Sequence, residues 1–131
     1  MKKWLLALAV LLGAQTFAMA QALVAPSLWK NQRNSTLDIT WAVPPVGGTV
    51  FGGTFTNQAQ GFECKGIPYG ALGHAENEKV AFTVGFLKCA TSTTWTGFIR
   101  GRKMYTSWSL TYYVNGVAKT LQGKDVFTRI R

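Results

Sequence analysis

The chain is poor in the side chains from which most active sites are built. Its 131 residues include two cysteines, one histidine and five acids. His74 stands between Gly73 and Ala75, and no serine sits in a G-x-S-x-G elbow, so nothing points to a hydrolytic triad. With one histidine and no third thiol, Cys64 and Cys89 do not make a zinc site. The sequence therefore implies neither an enzyme nor a bound metal or cofactor.

Long apolar runs are also missing, apart from one near the start. Trp4 to Leu12 follows Lys2 and Lys3 and leads to Ala18-Met19-Ala20. The stretch is too short to anchor in a bilayer and carries an A-x-A cleavage site, which reads as a secretory signal peptide over 1–20, removed after Ala20. Residues 21–131 then form one domain, exported to the periplasm or beyond, with no membrane association after cleavage. In that oxidising setting two cysteines most simply form one disulfide. Closing a loop of about 25 residues would stabilise the fold by roughly 3.5 kcal/mol on the chain-entropy model.

Acidic residues are too few to balance the basic ones. Without Lys2 and Lys3, twelve basic residues face five acids, a net charge of +7. The basic residues are scattered singly, with Arg100, Arg102 and Lys103 alone gathered around a glycine. A nucleic-acid face needs a basic stripe interleaved with aromatics, and none is present.

Helical periodicity is absent beyond the signal peptide, and 14 glycines argue against helices. Strand-like runs are there instead, separated by turn residues at Gln32–Asn34, Pro44–Gly48, Asn57–Gly66, Ala75–Glu78, Leu87–Ala90, Arg100–Arg102 and Val114–Gly116. Asn115-Gly116, between "SLTYYV" and "VAKTL", is the sharpest hairpin signal. Seven turns give eight antiparallel strands, and closure into an up-and-down β-barrel hides their edges most completely, ahead of a two-sheet sandwich. Charges such as Lys88 and Lys119 argue against an outer-membrane barrel. Eight strands leave an interior wide enough for side chains or one small ligand.

In "TSTTWTGF", alternation puts Thr91, Thr93 and Trp95 on one face of a strand, so hydroxyls point into the barrel. Glu63, Glu76 and Glu78 fall in turns, and Asp38 on the outer face of its strand. Asp125 reads as starting the last strand, where its carboxylate either reaches the barrel end or caps the strand at the surface. Asn34-Ser35-Thr36 matches an N-glycosylation acceptor and also a plain hairpin turn, which the bacterial-looking leader favours.

"LWKNQRNSTLDI", "GGTFTNQAQG", "TSTTWTGF", "YTSWSL" and "GKDVFTRI", in this order, resemble the avidin and streptavidin family of secreted biotin-binding β-barrels. The resemblance spans Leu28 to Ile130, and the cysteine pair with "NQAQGFEC" looks most like the dimeric rhizavidin branch. It implies biotin as ligand and partner, and a homodimer as the assembly. Position by position it implies Asn31 and Ser35 as donors to the ureido oxygen, and Asn57 and Asp125 as acceptors from the ureido nitrogens. It further implies Thr93 facing the sulfur, Thr91 facing the carboxylate, Trp95, Trp108 and Leu110 as walls, and Gln60 and Gly61 in the loop closing over the tail. The Cys64–Cys89 bridge would tie that loop down. Three positions depart from the pattern. Phe55 replaces a tyrosine donor, Phe86 replaces a wall tryptophan, and Arg33 stands where a small or apolar residue is usual, free to turn outward or to meet the ligand's carboxylate. These departures imply affinity below the family's norm. Two other readings are a related barrel for another small apolar ligand, and an exported inhibitor or adhesin that binds a protein through its loops.

Overall fold

Short runs of Thr, Val, Phe and Tyr between tight turns extend as strands because these side chains pack well on a pleated surface. The computed structural model describes residues 23–43 and 48–131. The expected signal peptide over 1–20 and most of the expected turn at Pro44–Gly48 lie outside the described residues. The strands are β1 Ser27–Asn31, β2 Thr36–Val43, β3 Thr49–Thr56, β4 Pro68–Glu76, β5 Lys79–Phe86, β6 Thr91–Arg100, β7 Lys103–Val114 and β8 Val117–Arg129. A single-turn 3₁₀ helix, Leu87–Cys89, links β5 to β6. Each strand pairs antiparallel with the next, and β8 returns to β1 through Trp29 opposite Arg129 and Asn31 opposite Phe127. The expected eight-stranded up-and-down barrel is therefore the fold, closed without a free edge.

Turn chemistry sets the hairpins. Asn115 and Gly116 have φ of 51° and 78°, the left-handed pair that a two-residue hairpin requires. Asn77, with φ of 54°, turns the chain between β4 and β5 so tightly that Ala75 and Glu76, expected in the turn, remain in β4 opposite Val80 and Lys79. Asp125 also lies elsewhere than expected. It sits near the end of β8 opposite Thr106, because β8 begins at Val117, directly after the hairpin.

Alternation along the strands fills the interior. Val80, Phe82, Val84 and Phe86 of β5 point inward, as do Thr93, Trp95 and Ile99 of β6. At one end Phe51, Ala75, Val80, Ile99 and Met104 are buried and close the barrel with apolar side chains. Burying each of the larger ones contributes roughly 1.5–3 kcal/mol. The other end stays open, and there the inward residues turn polar. Beyond the last β6 partner, Ser92 opposite Thr111, the β7–β8 hairpin continues alone from Tyr112 to Lys119.

Candidate functional site

The open end of the barrel holds a cavity of about 330 Å³, within the range of small-ligand sites. It gathers most of the residues singled out in the sequence. Asn31 and Ser35 enter from the first hairpin, Phe55 and Asn57 from the end of β3, and Gln60 and Gly61 from the loop that follows. Thr93 and Trp95 of β6, Trp108 and Leu110 of β7, and Asp125 of β8 complete the wall. A wider depression of about 600 Å³ outside it carries Arg33 and Lys65 and shares Arg33, Ala59 and Gln60 with the inner cavity. The inner cavity is the candidate site, since polar groups converge on aromatic walls there.

The hydrogen bonds fix what each polar group can offer. Asn31 Oδ1 accepts from the Arg33 and Ser35 backbone N–H groups at 2.9 and 3.0 Å, which leaves the Asn31 amide NH₂ to donate elsewhere. Ser35 Oγ, buried, accepts from Gln58 N–H at 2.8 Å, so its own hydrogen is free. Asn57 Oδ1 accepts from Ala59 N–H at 2.8 Å and keeps one lone pair. Trp95 Nε1 donates to Asp125 Oδ2 at 2.8 Å, orienting both groups. Asp125 Oδ1 accepts from Gln32 Nε2 at 2.9 Å and from the Arg33 guanidinium. Two donors, a carboxylate and an amide oxygen thus converge on the cavity beside one apolar channel.

The walls are held from behind. Trp95 stacks on Phe82 with centroids 4.8 Å apart and planes 11° apart, and Phe55 lies 4.7 Å from Trp95. Trp108 lies across β8 because Gly123 faces it. A Cβ there would come within 2.3 Å of the indole.

Thr93 Oγ1, Thr91 Oγ1 and Trp108 Nε1 are buried with no hydrogen-bond partner among the described residues. An unpaired buried polar group costs about 1–3 kcal/mol, so natural folds keep few of them. Thr93 and Trp108 line the inner cavity, so two of these three groups are available there to a partner outside the chain.

Two sequence candidates do not line this cavity. Phe86 is fully buried behind it, packed edge to face on Phe62 and Tyr69 at 5.0 and 5.4 Å. Thr91 lines a neighbouring cavity of about 350 Å³, and Phe62, Leu110 and Leu121 form the wall common to both. The sequence pattern does not single out Phe62, Leu121 or Gln32, although Phe62 and Leu121 line the cavity and Gln32 holds Asp125. Phe62 and Gln32 lie in a loop and a turn, where periodicity gives no facing, and Leu121 lies in a run of exposed residues. Of the two directions open to Arg33, it takes the inward one: it lines the inner cavity and the outer depression and pairs with Asp125, a partner the sequence does not suggest.

Cys64 and Cys89 form the disulfide, with Cα atoms 6.1 Å apart. It joins the loop bearing Gln60, Gly61 and Phe62 to the 3₁₀ turn before β6. Among the described residues no three His, Cys, Asp or Glu side chains cluster as metal ligands.

A model of the avidin family matches residues 19–130. Afifavidin from Afifella pfennigii is 31% identical over 112 residues, covering 79% of this chain and 68% of afifavidin. The bradavidin2–biotin complex superposes with a TM-score of 0.74 at 46% identity, covering 83% of this chain and all of bradavidin2. Rhizavidin superposes with a TM-score of 0.67 at 32% identity, covering 80% of this chain and 81% of rhizavidin.

Proposed function

The chain belongs to the avidin family, and on that premise we propose that it is an exported, non-enzymatic protein that holds biotin in the mouth of its barrel. The observation that carries this reading is the cavity's donor and acceptor pattern. Biotin presents a ureido oxygen that accepts, ureido nitrogens that donate, an apolar thioether ring and chain, and an anionic tail. The free hydrogens of Asn31 and Ser35 suit the oxygen, and Asp125 and Asn57 suit the nitrogens. The unpartnered hydroxyl of Thr93 suits the sulfur, between the rings of Trp95 and Trp108 and beside Leu110. Thr91, Gln60 and Gly61 serve the tail, and Phe86 backs the wall through Phe62.

Filling such a site excludes water from apolar walls and pairs groups that otherwise stay unpaired, which is where the binding free energy comes from. The loop held by the disulfide needs less ordering when it closes on the ligand. Export over a signal peptide at 1–20 agrees with a disulfide. We infer a homodimer as the assembly, since Tyr113, Val114 and Val117 of the projecting hairpin are 61, 41 and 59% exposed, apolar surface that a second copy would cover.

Isothermal titration tests the binding. The expected result is saturation at one biotin per chain. No heat, together with no competition against a labelled biotin at micromolar protein, would contradict it.

A further inference from the structure

The first hairpin places a cation inside the candidate site. Asn31 opposite Phe127 sets the β1–β2 turn beside Asp125, and the Asn31 side chain holds the Arg33 backbone N–H at 2.9 Å. From there the Arg33 side chain crosses the mouth. Its guanidinium pairs with Asp125 Oδ1 and lies over Trp108, 5.7 Å from the ring centroid. Arg33 thus touches both the carboxylate and the wall that a ligand would use.

Of the four acceptor sites of Asp125 three are taken, leaving the second lone pair of Oδ2. Oδ2 takes Trp95 Nε1, and Oδ1 takes Gln32 and Arg33. A ligand N–H can reach Oδ1 only if one of these donors gives way. Gln32 is tied at both ends of its amide, since Oε1 accepts from Val126 N–H at 3.0 Å and Nε2 also donates to the Lys124 carbonyl at 3.2 Å. Trp95 is locked in the aromatic stack on Phe82. Arg33 is the free one, its side chain 39% exposed against 3% for Asp125.

We propose that Arg33 is an internal competitor for the ligand: its guanidinium fills the Oδ1 side of Asp125 and covers the Trp108 wall, and binding proceeds through chains in which this pair has opened. The proposal rests on the biotin reading of the site. A pair with one partner this exposed is weak, so the closed form reduces the apparent affinity on the order of tenfold rather than abolishing binding. The mechanism is a population term: apparent affinity falls by the fraction of chains that are open.

Arg33→Leu and Arg33→Gln, each titrated with biotin and with the uncharged biotinamide, test it. Both variants should bind both ligands about tenfold more tightly, with the gain carried by faster association because every chain is then open. Biotinamide removes the tail charge, so it separates competition at Asp125 from any attraction between Arg33 and the carboxylate. Thermal melting of the variants confirms that they fold. Equal or weaker binding of biotinamide by both variants overturns the proposal while leaving the biotin reading intact. Failure of every form to bind either ligand overturns the biotin reading and the proposal with it.

Discussion

The rings of Phe62 and Phe86 meet edge to face, with centroids 5.0 Å apart and planes 75° apart. Phe86 is fully buried in β5, whereas Phe62 is half-buried and belongs to the loop between β3 and β4. The pair spreads the aromatic wall over two elements. One belongs to a barrel strand, and the other to the loop that carries Gln60 and Gly61 and that the disulfide ties to the 3₁₀ turn.

Phe62→Ala should weaken biotin binding by about 1–2 kcal/mol, since it removes an aromatic pair and an apolar wall. Release should be faster, with a smaller loss of thermal stability than the same change at a fully buried position, because Phe62 is only partly buried against the core. Stopped-flow displacement by unlabelled biotin measures it, and an unchanged release rate would show that Phe62 does not cover the site.

The disulfide acts on the same loop. Cys64→Ser combined with Cys89→Ser should speed biotin release by a larger factor than it lowers the folded-to-unfolded ratio, if holding the loop is the bridge's main work. Chain entropy alone would assign the bridge roughly 3.5 kcal/mol of stability. Denaturant unfolding beside release kinetics separates the two. A large stability loss with an unchanged release rate would leave only the structural role.

Phe55→Tyr should tighten biotin binding by about 1 kcal/mol or somewhat more, by adding a donor for the ureido oxygen. The same hydroxyl must be buried in the ligand-free chain, among the rings of Phe82, Phe86, Trp95 and Phe127. Stability without ligand should therefore fall slightly. Calorimetric titration and melting with and without biotin give both terms, and weaker binding would show that the para position does not reach the ureido oxygen.

Asp125→Ala should both loosen the barrel mouth and weaken binding. Trp95 Nε1 would lose its partner at a buried position, at a cost of about 1–3 kcal/mol in stability. Biotin would lose an ionised acceptor, about 2 kcal/mol or more. Chemical denaturation and titration on the same sample check it, and a variant as stable as the parent would show that Trp95 finds another acceptor.

Much of this fold is legible in local chemistry. Asn34, Asn77 and Asn115 adopt left-handed backbone at turns, and strict alternation in Thr91–Arg100 puts Thr93 and Trp95 on the inner face. The position of Asp125 within β8 was less legible. Val117 to Gln122 is exposed throughout, so that stretch offers no apolar face from which to count. The fate of Arg33 could not be read locally at all. Its direction follows from barrel closure, which brings β8 against the first hairpin nearly a hundred residues away in sequence. Phe62 escaped for a related reason, because the disulfide and the barrel rim, rather than a strand's period, decide where it points.

The most direct test of the account is a crystal structure of the chain with biotin. The expected result is the ureido ring between Trp95 and Trp108, its oxygen within hydrogen-bond distance of Asn31 and Ser35, one nitrogen on Asp125, and the sulfur beside Thr93 Oγ1. Biotin seated only in the outer depression near Lys65, with the inner cavity unchanged, would contradict it.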